Sequence, residues 1–380
     1  MIVFASNFMN HHQFSLCKAL YKLKNGNFVF IATEPIPEER LNLGYEDMND
    51  LDFVIKAYSN DEEAEHAKKI CQKADVLIIG SAPESYISIR KRNQIILRYS
   101  ERPYKNYNKI KSFLSEIYHH YRFLNKRNIY ILCASAYTAV DHAQFGMYKN
   151  KMYKWGYFPP VIKYTTNELL KNKDKKKILW MGRLIDWKHP EEAIEVAMLL
   201  KRDGYDFTMD IGGTGNMDNK IKTMIEKYEL TDYVKLLGKI PTKEVRKYME
   251  KSGIFLFTSD FNEGWGAVLN ESMNSGCAVV ASHAIGSVPF LIQHNKNGLV
   301  YKCGKIDELY KKVKYLLDNP VEQEKLGKSA YETMVNVWNA DVAAKRLINL
   351  EAQLINGNRF PELYSDGPCS KAKIIKEDWF

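Results

Sequence analysis

The chain has 380 residues, 45% of them hydrophobic and 27% charged, with 12 prolines and a formal net charge of +9. That length suits two domains of about 100–200 residues each, and the composition excludes a disordered or collagen-like chain. A mean hydropathy of −0.39, with no apolar run near the ~18 residues a spanning helix needs, excludes a spanning helix. The opening stretch Met1–His12 lacks the basic and apolar regions of a secretory signal, so the expected location is the cytoplasm. Six cysteines (17, 71, 133, 277, 303 and 369) stand far apart. That spacing reads as buried thiols rather than a disulfide framework or a metal site.

Short apolar runs alternating with helical patterns predict parallel α/β units. In the first half, strands are expected over 2–6, 27–33, 52–58, 75–81, 95–100, 129–135 and 152–158. Amphipathic helices are expected over 13–24, 61–74 and 107–126, with Asn60 as an N-cap. Pro159-Pro160 and the lysine-rich stretch up to Lys177 read as an interdomain linker. A second alternating set follows, with strands over 177–182, 206–211, 233–238, 254–258, 278–282 and 298–301. Its helices are expected near 190–203, 218–229, 242–252, 266–275, 287–294 and 305–318, with two more over 321–337 and 340–356. The expected architecture is two Rossmann-like, doubly wound domains facing a cleft. Ligands of such sheets bind outside the carboxyl ends of the strands. The aromatic end, Trp379-Phe380, is expected to dock on the first domain.

Motifs cluster in the second half. Glu263-Gly-Trp-Gly-Ala-Val-Leu-Asn-Glu271 follows the apolar run Ile254–Thr258. Gly264 and Gly266 allow close backbone approach, and a helix opening near Gly266 offers free N–H groups. The span from Glu263 to Glu271 is at most about 12 Å if fully helical, which suits two ends of a long ligand better than a glycosidase pair. A solvated helix acid beside a glycine turn is the plainer reading, and the position after a buried strand weighs against it. Upstream, Gly182-Arg183-Leu184 and Lys188 leave the first strand of this half. A guanidinium fork and an ammonium point charge suit a diphosphate. Gly212-Gly213-Thr214-Gly215 is a candidate phosphate loop, but it lacks the third glycine of a dinucleotide fingerprint, and no P-loop motif occurs.

In this order, the motifs resemble the retaining nucleotide-sugar glycosyltransferases of the GT-B fold, family 4, over roughly residues 177–320. The resemblance implies domains at 1–165 (acceptor side), 166–345 (nucleotide sugar) and a helix and tail, 346–380, returning to the first domain. It implies that Arg183 and Lys188 hold a donor diphosphate, and that Glu263 with the backbone of Gly264, Trp265 and Gly266 holds the donor sugar. Glu271 would bond the ribose, and Gly213, Gly215 and Ile240 would line the nucleotide. It also implies a metal-independent reaction with no cofactor beyond the nucleotide sugar as co-substrate. A glycan or lipid-linked saccharide would be the acceptor, in cell-surface polysaccharide synthesis of the capsule or exopolysaccharide kind.

The first half departs from the family pattern. Asn10-His11-His12 replaces a glycine pair, and Ser100-Glu101-Arg102-Pro103 stands where the family has a histidine. His11 and His12 either orient an acceptor hydroxyl or form a polar helix start; Glu101 either serves the cleft or pairs with Arg102. Phe290 replaces a glutamate in the second half. A sugar-nucleotide epimerase, a phosphorylase and a non-catalytic glycan-binding subunit are the alternatives on this fold.

Charge is uneven. Residues 1–84 hold 8 Lys/Arg against 13 Asp/Glu, whereas residues 85–165 hold 15 against 3, a local +12. In the stretch Asn108–Arg127, Lys109, Lys111, Arg122 and Lys126 interleave with Phe113, Tyr118, Tyr121 and Phe123, and Ile110, Leu114, Ile117 and Leu124 form an apolar stripe. This pattern fits an anionic membrane surface, or a helix whose stripe faces its own sheet. No nucleic-acid-binding motif accompanies the charge.

Overall fold

The computed structural model describes residues 1–42, 44, 46–88, 94–103, 110–124 and 128–380. They divide into two units: Met1–Pro160 with Val337–Lys376, and Val161–Asn336 with Glu377–Phe380. The divisions fall at Pro160 and Asn336 rather than at 165 and 345. Local bonding explains both. Ile162 N–H donates to Asn274 Oδ1 and Asn274 Nδ2 donates to Ile162 O, so the chain past Pro160 is stitched to the second unit. Trp338 stacks with Phe158, which takes the chain past Asn336 into the first.

Seven described strands build the first sheet: β1 (Ile2–Ser6), β2 (Phe28–Ala32), β3 (Val54–Lys56), β4 (Val76–Ile79), β5 (Ile95–Ser100), β6 (Ile129–Cys133) and β7 (Met152–Lys154). Their order is β3-β2-β1-β4-β5-β6-β7, all parallel. Runs such as Ile2-Val3-Phe4-Ala5 are buried throughout, as expected of strands covered on both faces. The returning segment closes this unit. Helix Ala340–Ile355 reaches helix His11–Leu23, where Lys24 pairs with the buried Glu351 at 3.0 Å. Beyond it, Cys369 and Ala372 donate backbone bonds to Lys154 and Met152, so the edge of β7 is covered.

The second sheet has six described strands: β8 (Asp174–Met181), β9 (Thr208–Gly212), β10 (Val234–Gly238), β11 (Ser252–Phe257), β12 (Ala278–Ser282) and β13 (Leu299–Tyr301), in the parallel order β10-β9-β8-β11-β12-β13. Strand β8 begins inside the stretch read as linker. Its lysines are held individually: Lys175 by Glu324 at 2.6 Å, Lys176 by Asp206 at 2.5 Å and Lys177 by Asp210 at 2.6 Å. Backbone pairing with β11 at Asp174 and with β9 at Lys177 makes this charge run a strand. The expectation for Trp379-Phe380 is corrected too, since both side chains pack on the second unit.

In both sheets the strand order reverses next to the first strand of the unit, at β1/β4 and at β8/β11. The crevice outside the carboxyl ends at such a reversal is where doubly wound sheets hold ligands.

Candidate functional site

The loops after β8 and β11 meet at the reversal in the second unit, and they carry most of the motif residues. Gly182 N–H donates to Gly212 O, Leu184 N–H to Thr214 O and Gly213 N–H to Gly238 O, all within 3.0 Å. Side-chain atoms would not fit here. A Cβ on Gly213 would lie 1.8 Å from Gly182 O, and one on Gly215 2.1 Å from Leu184 O. These glycines therefore let the β8 and β9 loops lie backbone against backbone. Ile240 is close by, its Cδ1 3.1 Å from where a Cβ on Gly212 would stand.

Lys188 and Glu263 form an ion pair with little solvent access, the two side chains 13% and 10% exposed. Ser259 Oγ donates to the same Glu263 oxygen at 3.1 Å. The Lys188 ammonium also stands 4.6 Å from the Trp187 ring centroid, a cation–π contact. A relay pins the lysine's backbone: Trp180 Nε1 donates to Thr258 Oγ1 at 2.8 Å, and Thr258 Oγ1 donates to Lys188 O at 2.7 Å. The next residue, His189, has a left-handed backbone (φ 48°). Its ring lies between Asp260 (3.5 Å) and Glu191 (3.4 Å), and those carboxylates raise its pKa to about 10. It is therefore a cation at neutral pH, tying the β8 loop to the β11 loop.

Arg183 is exposed, and among the described residues no carboxylate pairs with it. Glu271 lies on the helix Val268–Asn274; burial pushes its carboxyl up, and Arg246 draws it back. Gly264 is buried within the loop, and Gly266 takes a positive φ of 81°. Trp265 reads from the sequence as a backbone contact. Its side chain is fully buried and donates from Nε1 to Asn270 Oδ1 at 2.9 Å, so only its backbone remains for a ligand.

In the first unit, His11 and His12 start a helix capped by Asn10, whose side chain accepts from the N–H groups of His12 and Gln13. The His12 ring stacks on Tyr157 (5.2 Å, 10°), and Tyr157 OH donates to Glu101 Oε1 at 2.5 Å. Tyr157 thus joins the histidines to Glu101. Arg102 is a correction: it is buried in a two-bond pair with Asp141 (3.2 and 3.0 Å) and presents no open charge to an acceptor. Burial, reinforced by Arg40, lowers the His11 pKa to about 4 and holds His12 well below its usual range, so both are neutral.

Sequence reasoning missed His189, Asp260, Thr258, Tyr157 and Asp141. Only His189 and Asp260 carried a signal, since each lies next to or within a motif loop. Among the described residues, no cluster of three or more His, Cys, Asp or Glu has metal-binding geometry, and no helix is long and apolar enough to cross a membrane.

Residues 163–333 match the family model for glycosyl transferases group 1. Over this stretch, about 45% of its length, the chain is similar to the group 1 glycosyl transferases. The stretch contains the motif residues of the second unit. Relatives include the amylovoran biosynthesis glycosyltransferase AmsK of Erwinia amylovora, 37% identical over 127 residues (32% of this chain and 31% of AmsK). The putative colanic acid biosynthesis glycosyltransferase WcaL of Escherichia coli is 32% identical over 127 residues, with the same coverage. Both matches span about a third of the relative's length. Among solved structures, HepE of Anabaena in complex with UDP aligns with a TM-score of 0.68 at 14% identity, over 93% of this chain and 99% of HepE. TarM aligns with a TM-score of 0.61 at 21% identity, over 76% of this chain and 57% of TarM. At these identities the likeness establishes the fold alone, which is GT-B.

Proposed function

We propose that this chain is a retaining glycosyltransferase. It moves a sugar from a nucleoside-diphosphate sugar to a hydroxyl of a glycan or lipid-linked saccharide during polysaccharide synthesis in the cytoplasm. The observation that carries this reading is the Lys188–Glu263 pair beside the exposed Arg183, at the strand-order reversal of the second unit. The relatives' roles in amylovoran and colanic acid synthesis point to the acceptor class. Arg183 and Lys188 take the donor diphosphate, Glu263 the sugar hydroxyls and Glu271 the ribose.

In the proposed reaction, the bond between the sugar's anomeric carbon and the diphosphate oxygen breaks as the acceptor oxygen bonds that carbon on the same face. The acceptor proton passes to the departing diphosphate oxygen, so no enzymic nucleophile and no metal are required. Positive groups fixed where charge accumulates on the diphosphate lower the barrier. The test is a panel of UDP-, GDP- and ADP-sugars, read by thermal shift and by label transfer. One nucleotide class should stabilise the chain, by about 2.7 kcal/mol at a hundredfold excess over Kd, and its labelled sugar should appear on a second molecule. Label that stays on the nucleotide with altered stereochemistry would favour an epimerase; transfer to inorganic phosphate would favour a phosphorylase. Binding without turnover would favour a non-catalytic glycan-binding subunit.

The proposed acceptor class brings an anionic membrane surface with it as a partner. On helix Ile110–His119 and the π-helical turn His120–Leu124 that follows, Leu114, Tyr118 and Tyr121 are 57%, 53% and 50% exposed. Ile117 turns inward onto the first unit's core. The stripe read from sequence is therefore split, with an exposed aromatic face on a region of local charge +12. Asn108, Lys109, Lys126 and Arg127 lie outside the described residues, as do the side chains of Ile110, Lys111, Phe113, Phe123 and Leu124. Flotation with anionic vesicles, weakened by salt and by Tyr118→Ser with Tyr121→Ser, is expected. Equal recovery with neutral vesicles would remove the surface from the proposal.

A further inference from the structure

The last four residues sit against the loop after β12, which bonds the backbone of Glu263 while Lys188 pairs with its side chain. Strand β12 ends in Ser282, and His283-Ala284-Ile285-Gly286 follows. Gly286 N–H donates to Glu263 O at 3.1 Å, so this loop fixes the glutamate's backbone. His283 is held from several directions. Its backbone N–H donates to Tyr301 O at 2.8 Å, its Nδ1 accepts from Cys303 N–H at 3.1 Å, and its ring meets Phe261 edge to face at 5.5 Å. With Nδ1 occupied, the ring proton belongs on Nε2, and it goes to the backbone carbonyl of Glu377.

Trp379 completes the clasp, donating from Nε1 to His283 O at 3.3 Å. Phe380 anchors it farther away, 5.1 Å from the His294 ring and 5.9 Å from the Lys312 ammonium. Phe261, Glu263 and Gly286 are thus all tied to a loop whose outer side is held by residues 377–380. Because Val337–Lys376 belongs to the first unit, these four residues are a separate return of the chain to the second.

We propose that Trp379 is a positioning residue for Glu263: residues 377–380 brace the His283–Gly286 loop and so hold the glutamate where the donor sugar meets it. The inference rests on the reading of Glu263 given above. Its energetic basis is that small displacements of a positioning group cost large factors in rate. Arg183 belongs to the loop after β8 rather than to this one, so the diphosphate contact should be untouched.

The test uses the full chain with Trp379→Ala, and with Trp379→Phe, which keeps an aromatic ring but removes the N–H donor. Hydrogen exchange at Ile285 and Gly286 should accelerate at least tenfold in Trp379→Ala, whatever reaction the chain performs. Transfer should lose about tenfold in kcat, with Kd for the free nucleoside diphosphate within twofold of the parent. Trp379→Phe should fall between. Unchanged exchange at Gly286 overturns the clasp. Faster exchange with parental kcat overturns the positioning role, as does a parallel loss of nucleotide affinity and kcat, which would mark general destabilisation. Failure of the underlying reading is seen separately, as transfer that survives Glu263→Gln.

Discussion

Arg183 and Lys188 leave the same strand, yet they differ in electrostatic state. Lys188 is neutralised by Glu263, whereas Arg183 is exposed with no carboxylate paired to it among the described residues. An anion arriving at this loop would meet the guanidinium first. Arg183→Ala should therefore raise donor KM and lower kcat. Charge-assisted bonds of about 1.5–3 kcal/mol each imply at least a ~10-fold loss in kcat/KM. Steady-state kinetics on a variant with a native circular dichroism spectrum checks this; parental kinetics would take Arg183 out of the site. The two glutamates should separate as well. Glu263→Gln keeps an acceptor for Ser259 but surrenders the charge facing Lys188, so transfer should collapse while nucleoside diphosphate still binds. Glu271→Ala should instead weaken binding of the free nucleotide. Calorimetry with the diphosphate alone distinguishes them, and the reverse pattern would exchange the two roles.

At the scale of elements, the second unit depends on loops that touch through their backbones. Gly213→Ala and Gly215→Ala would drive a Cβ to 1.8 and 2.1 Å from carbonyl oxygens of the β8 loop. No side-chain rotation relieves a clash with backbone. Each should cost about 3 kcal/mol or more, in the range of strongly destabilising substitutions. Gly304→Ala is the control: its φ is 74° but nothing lies within 4 Å, so the left-handed penalty of about 1–2 kcal/mol is the whole expectation. Denaturant melts of the three variants test the difference, and equal losses would mean that the loops separate readily. The strands and these loops were legible in the sequence because apolar runs, glycines and charged residues at their ends are local signals. What pairs across the fold was not. Arg102 reads as a partner for its neighbour Glu101 because Asp141, which it bonds instead, is 39 positions away. Nothing local shows that the Trp265 indole turns into the core to meet Asn270, which leaves the loop its backbone alone. Tyr157, linking His12 to Glu101, follows β7, far in sequence from both.

Over the whole molecule, the two units should respond to acid in opposite directions. The first unit buries His120 and His142 in neutral form. Burial and the nearby Arg98 lower their pKa values to about 4 and about 3. Lys151 adds to the effect at His120, and Glu116 is the carboxylate facing His142, at 4.0 Å. Their contribution is fully present above the unfolded value of about 6.5 and is lost as pH falls from there toward 4, because the unfolded chain binds the protons first. At pH 5 each histidine has given up about 2 kcal/mol, at ~1.4 kcal/mol per pH unit. In the second unit burial lowers His283 and His294 as well, but His189 and Glu192 carry the opposite sign and offset them. His189, raised to about 10 by Asp260 and Glu191, contributes fully below 6.5 and loses that contribution only as pH rises toward 10. Glu192, hydrogen-bonded by Tyr301 OH at 2.6 Å, is pushed up to about 7 by burial, so its ionisation too penalises the folded state only as pH rises from 4.5 toward 7. Between pH 7.5 and 5 the first unit should therefore weaken while the second holds or gains. Segment-resolved hydrogen exchange at the two pH values reads each unit separately, after correction for intrinsic exchange rates. The strands Ile129–Cys133 and Ile95–Ser100 should lose protection at pH 5, and Ser252–Phe257 and Ala278–Ser282 should keep it. Replacing His120 by Phe and His142 by Gln should reduce the response of the first unit, the remainder coming from His11 and His12, which burial also holds neutral. An acid response shared equally by both sheets would show that the units unfold as one, or that these histidines are not what the first unit loses.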